Sequence, residues 1–234
     1  MTASGAQTTP VDNSSPLEPT RLLRLYAQPK RFFDPAHNLD RRPELYLVVL
    51  LAGIATVLDR IDLRLTKATL VAGARPDDFA VRLAESWPSL WTAVVLLGIV
   101  SGAFGWLIGG WWYGVRLHLS GAPKNHEKEA RLTWAYVALV TSLPTFVLLL
   151  VQTVQYSNYL EAYDTGTIAT LLVVALLYWS VIVSYQAATT RFKLTRSKAR
   201  FWFLILPLVF YTAILFLFGA LAALLSTNGG SVPA

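Results

Sequence analysis

From Ser86 to the C-terminus, ionised residues are confined to three short clusters: Arg116 to Arg131, Glu161 to Asp164, and Arg191 to Arg200. The stretches before, between and after them run for 30, 29, 26 and 34 residues without an Asp, Glu, Lys or Arg. A helix needs roughly 20 predominantly apolar residues to cross a hydrocarbon core about 30 Å thick. The pattern predicts an all-α, polytopic transmembrane bundle with spans near 89–115, 132–155, 166–188 and 202–225. A fifth apolar segment, Leu45 to Leu58, has only 14 charge-free residues and is short for a span.

The basic residues arbitrate, because Lys and Arg accumulate on the cytoplasmic side of short loops. Five spans with the N-terminus inside put 15 basic residues in the cytoplasm against 5 outside, the latter all in 59–85. Four spans give 11 against 9, which is no bias. The count favours five spans, with the N-terminus inside and the C-terminus outside. Arg60 and Arg64 are expected to sit on an extended first helix and snorkel to the headgroups. Trp87, Trp91, Trp111, Trp112, Trp134 and Trp202 fall near predicted span ends, where indoles favour the interface. The expected organisation is a disordered tail over 1–20, a basic amphipathic cytoplasmic lead-in over 21–43, the five-helix domain over 44–225, and a flexible tail over 226–234.

Within the spans, Gly98, Gly102, Gly105 and Gly109 recur at spacings of 4, 3 and 4, along one side of a helix. Such a groove lets another backbone approach closely, in this chain or in a second copy. Pro144 and Pro207 each remove a helical N–H and are expected to kink the third and fifth spans. Gln152 and Gln155 are candidate intramembrane polar contacts, since an unpaired amide in lipid costs several kcal/mol.

Composition narrows the chemistry. The net charge of +6 comes from residues flanking apolar segments, which points to topology and anionic headgroups rather than nucleic acid. Cysteine is absent, which excludes disulfides and thiol catalysis. His37, His118 and His126 stand in no metal-ligand spacing, and Glu161 with Asp164 reads as a solvated pair. No phosphate loop, nucleophile elbow or zinc-protease helix is present. No catalytic, cofactor or metal residue is therefore assigned, and an enzyme is not expected.

Several motifs follow one another along the chain. They are the lead-in Leu22-Leu23-Arg24-Leu25-Tyr26-Ala27-Gln28-Pro29-Lys30-Arg31-Phe32-Phe33 and the Gly102-Ala103-Phe104-Gly105-Trp106-Leu107 run that leads to Leu119-Ser120-Gly121-Ala122. To these are added Trp134-Ala135-Tyr136-Val137-Ala138 with Ser142-Leu143-Pro144, and the basic stretch Arg191 to Arg200 before a Leu-Pro-containing last helix. Together they resemble the Yip1 family of five-span membrane proteins in its divergent prokaryotic form. The resemblance covers roughly residues 22–225. It implies a cytoplasmic N-terminus and an outer or lumenal C-terminus. Eukaryotic members are associated with vesicle traffic, membrane shaping and small GTPases. Their Asp-Leu-Tyr-Gly-Pro signature has no counterpart here, so GTPase partnership is not carried over.

The expectation is a non-enzymatic integral membrane protein that organises membrane or partner proteins through helix packing. Its partners would be the lipid bilayer and a second copy of itself or other membrane proteins, in a prokaryotic plasma membrane. The alternative is a small transporter or channel that passes a neutral solute along Gln152 and Gln155.

Overall fold

The computed structural model describes residues 15–70, 79–122, 126–165 and 167–228. Among the described residues there are helices and no strand. They are α1 (Pro19–Ala27), α2 (Pro29–Phe32), α3 (Arg42–Leu70), α4 (Phe79–Ala84), α5 (Trp87–Phe104) and α6 (Gly110–Leu119), then α7 (Glu127–Gln155), α8 (Tyr159–Asp164), α9 (Thr167–Arg191), α10 (Arg196–Arg200) and α11 (Leu206–Asn228). Wide π-helical turns, Gly105–Gly109 and Phe201–Ile205, join α5 to α6 and α10 to α11.

Four stretches are long and apolar enough to cross a membrane: Trp87–Leu119, Glu127–Gln155, Leu171–Arg191 and Arg196–Leu217. Each runs past its expected apolar segment into the neighbouring basic cluster, so Arg116, Arg131 and Arg191 are helical residues. α3 is also 29 residues long, about 43 Å at the helical rise. Every 18-residue window of it holds at least three charged residues, because Asp59, Arg60 and Asp62 follow Leu58 so closely. The two expected tails lie mostly outside the described residues; α1 begins at Pro19 and α11 runs to Asn228.

α3 packs along both α5 and α7, and α7 also meets α6 and α9. α11 touches α9 chiefly through the π-helical turn that precedes it. α11 itself leaves Val209, Phe210, Phe216 and Leu217 on the exterior. The tightest crossing is α3 on α5. A Cβ placed on Gly53 would lie 1.9 Å from the Gly98 carbonyl oxygen, and one on Gly102 would lie 2.4 Å from that of Val49. Only glycine lets these backbones meet at that distance.

The lead-in is built into the bundle rather than laid beside it. Leu25, Phe32, Phe33 and Leu39 are buried against α3, α7 and α9, in one cluster with Val48, Leu139 and Val183. The Tyr26 hydroxyl donates to the Leu139 carbonyl at 3.1 Å, and Tyr136 donates to the Leu39 carbonyl at 3.3 Å. Leu139 lies just before the turn that Pro144 disturbs. Thr141 and Thr145 add bonds of 3.1 and 2.9 Å to the carbonyls of Ala138 and Thr141. α7 stays one unbroken helix through Pro144, with hydroxyls serving carbonyls in the turns around it.

At the end opposite the basic clusters, α4 and α8 close over the charged last turns of α3. Asp62 accepts a 2.7 Å bond from Tyr159, and Thr66 shares a 2.6 Å bond with Tyr163. The Trp87 indole donates to the Tyr156 carbonyl at 2.9 Å. Asn158 caps α8 by accepting from the Glu161 amide at 3.0 Å. Glu161 in turn accepts from the Ser157 amide and hydroxyl, which holds its carboxyl below the usual range. Asp62 lies beyond the apolar segment 45–58; burial, and less so the nearby Asp59, pushes its carboxyl up to about 6 against the Tyr159 bond.

Two outcomes follow from this packing. Gly53→Ala or Gly102→Ala should lower unfolding stability in detergent by about 2 kcal/mol or more through overpacking. Gly219→Ala, where nothing lies within 4 Å, should be neutral or slightly stabilising. Asp62 holds its proton more tightly folded than unfolded, so its contribution to stability is largest below about pH 4 and fades as pH rises to about 6. Asp62→Asn keeps an acceptor for Tyr159 and removes that loss. The melting temperature of the variant should therefore gain on wild type across this pH window; a constant difference would contradict the assignment.

Candidate functional site

The site is assembled where α6, α7, α9 and the start of α11 converge. Tyr113 and Arg116 are three apart on α6 and so share a face. The Arg116 guanidinium lies over the Tyr113 ring at 5.2 Å and the Phe203 ring at 4.8 Å. Those rings pack at 5.0 Å between centroids, and Tyr113 is fully buried. Its hydroxyl donates to the Ser184 carbonyl at 3.2 Å, tying α6 to α9. Phe203 reaches the pair from the π-helical turn Phe201–Ile205, two residues beyond which stands Pro207. A proline there has no N–H to continue the ladder, and the wide turn takes up the mismatch.

These residues enclose a cavity of about 210 Å³, whose wall also includes Trp134, Thr141, Ser180, Ser184, Pro207 and Tyr211. Thr141 and Ser180 donate to carbonyls of their own helices, Ala138 at 3.1 Å and Leu177 at 2.7 Å. Among the described residues the wall has one cation and no carboxylate. Two of its polar atoms are buried without a hydrogen-bond partner among the described residues: Arg116 Nε and Ser184 Oγ. Ser184 is only 5% exposed. Cation–π contact with the rings uses none of the guanidinium's N–H donors, which leaves Nε for an acceptor. The arrangement can bind and orient an acceptor-rich group.

A larger cleft of about 490 Å³ lies nearby, between α6 and the start of α7. His118, His126, Glu127 and Arg131 line it with Trp111. His37 is elsewhere, beside Arg191, which donates to its carbonyl at 3.4 Å. Among the described residues no group of three His, Cys, Asp or Glu is placed to hold a metal ion.

The glycine stripe is occupied from within the chain. Gly98 and Gly102 face Ile54 and Val49 of α3, whereas Gly105 and Gly109 receive the Trp134 indole of α7. A Cβ on Gly109 would fall 2.3 Å from Trp134 Cε2. The π-helical turn Gly105–Gly109 advances the helix phase and carries the last of the stripe from α3 towards α7. Trp134, expected near a span end, packs its half-buried indole into this groove. Gln152 is half-buried and Gln155 exposed near the end of α7, and the hydrogen bond there joins Trp91 to Thr153 at 3.1 Å.

By position in the chain Arg116 belongs with the loop cations, and Gly53 stands in no glycine pattern. The i, i+3 spacing of Tyr113 and Arg116 was the available signal; Phe203 is too distant in the chain to read. Comparison with protein-family models, curated proteins and solved structures finds no match.

Tyr113→Phe keeps the ring stack and removes the bond to Ser184. It should cost about 1 kcal/mol of unfolding stability in detergent. An unchanged melting temperature would mean that the α6–α9 tie contributes nothing.

Proposed function

We propose that this is a five-span, Yip1-like, non-enzymatic integral membrane protein that organises membrane or neighbouring proteins through packed helices. Its N-terminus lies in the cytoplasm and its C-terminus outside, in a prokaryotic plasma membrane. The four apolar helices fit an integral membrane protein. The fifth span rests on one observation: Leu45 to Leu58 is sandwiched along its length by α5 and α7, two of those helices. A helix of α3's length so enclosed accompanies its neighbours across the hydrocarbon, and its charged turns emerge at the far end.

The glycines are filled internally, so association with other proteins falls to the lateral apolar faces. These carry Leu96, Ile99 and Val100 on α5 and Phe210 and Phe216 on α11. The neutral-solute reading finds less support, because Gln152 and Gln155 sit apart from both cavities.

The absence of cysteine makes the topology directly measurable. Single cysteines at Asn38, Gly121 and Thr195 should resist an impermeant maleimide in intact cells, whereas those at Glu85, Asn158 and Ser231 should react. Labelling of Asn38 and Glu85 positions from the same side would remove the first span. A photo-crosslinker in place of Phe210 or Phe216 should capture a protein neighbour in cells; adducts with lipid alone would refute the organising role.

A further inference from the structure

We propose that the cavity beside Arg116 is a binding site for a phosphate-type oxyanion, presented by an anionic lipid headgroup or as a free ion. A cation inside a membrane bundle needs a counter-charge or a functional reason. Arg116 has the aromatic faces of Tyr113 and Phe203 instead, and the cavity wall supplies no carboxylate. Cation–π contact steadies the guanidinium without using its N–H edge. Ser184 adds an independent observation: its Oγ is buried, lines the same space and has no partner among the described residues. A planar donor fork with a hydroxyl beside it suits a phosphate oxygen set.

The depth is also suited to a headgroup. Arg116 is three residues from the end of α6 and Ser184 seven from the end of α9, about 5 and 10 Å along their helices. Both helix ends lie at the basic end, where Arg191 and Lys198 raise the local concentration of anions. This placement of Arg116 and Ser184 is the same whether the chain crosses four times or five.

The test uses the full-length protein in phosphatidylcholine nanodiscs, with and without phosphatidylglycerol, and a titration of the phosphatidylcholine sample with inorganic phosphate. Retained lipid is read by native mass spectrometry and stabilisation by thermal unfolding. Wild type should retain phosphatidylglycerol over phosphatidylcholine, and Arg116→Gln should weaken that preference about tenfold or more. Ser184→Ala should weaken it about fivefold. Arg200→Gln, which alters an exposed cation at the same end, should leave it intact. Stabilisation by inorganic phosphate with the same variant pattern assigns the site to a free oxyanion instead. The proposal fails if neither probe binds, or if Arg116→Gln behaves as wild type. It also fails if Arg200→Gln loses as much as Arg116→Gln. Should Arg116→Gln not fold, Ser184→Ala decides, and unchanged binding in it overturns the site.

Discussion

The bundle depends on the close passage of α3 over α5, where Gly53, Gly98 and Gly102 carry no side chain to hold the two backbones apart. Inside lipid there is no hydrophobic driving force to press apolar helices together, since lipid tails are as apolar as leucine. Association then rests on dispersion, which falls steeply with separation. Small residues are what allow contact at the required distance. Once α3 is seated on α5, its opposite face is presented to α7, and the buried cluster of Val48, Leu51, Ala135 and Leu139 can form. The N-terminal helices dock on that cluster, and α4 and α8 cap the other end of α3.

Several polar side chains tie the bundle together by satisfying the backbone of another segment. Tyr26 and Tyr136 do this across the α1–α7 region, Tyr113 does it between α6 and α9, and Trp87 joins α5 to the turn after α7. Such bonds tolerate Pro144 within α7 and give the packing its register. Arg116 Nε and Ser184 Oγ have no such partner among the described residues, and both residues line the same cavity. Two unpartnered groups on the wall of one cavity are where a ligand has something to gain.

The helical content and the apolar lengths were legible because charge is excluded from hydrocarbon, and that exclusion is written residue by residue. The four long helices match the four unbroken apolar runs for this reason. The glycine spacing announced a close contact, yet it could not say which helix fills it. Gly53 sits alone in its own segment and gives no pattern. Trp134 lies near a predicted span end, so the interfacial rule claimed it before packing could. Arg116 belongs by position to a basic cluster and by contact to the interior; only Phe203, 87 residues later, reveals the difference.

What the chain determines alone is its solvent, its helicity and the ends at which charge collects, since these are properties of single residues and short runs. Which glycine faces which helix, which tyrosine reaches which carbonyl and where a guanidinium goes unpaired are decided by folding. Each is a relation between segments far apart in the chain. Such relations depend on helix phase, and one π-helical turn shifts that phase without leaving a mark in local hydrophobicity.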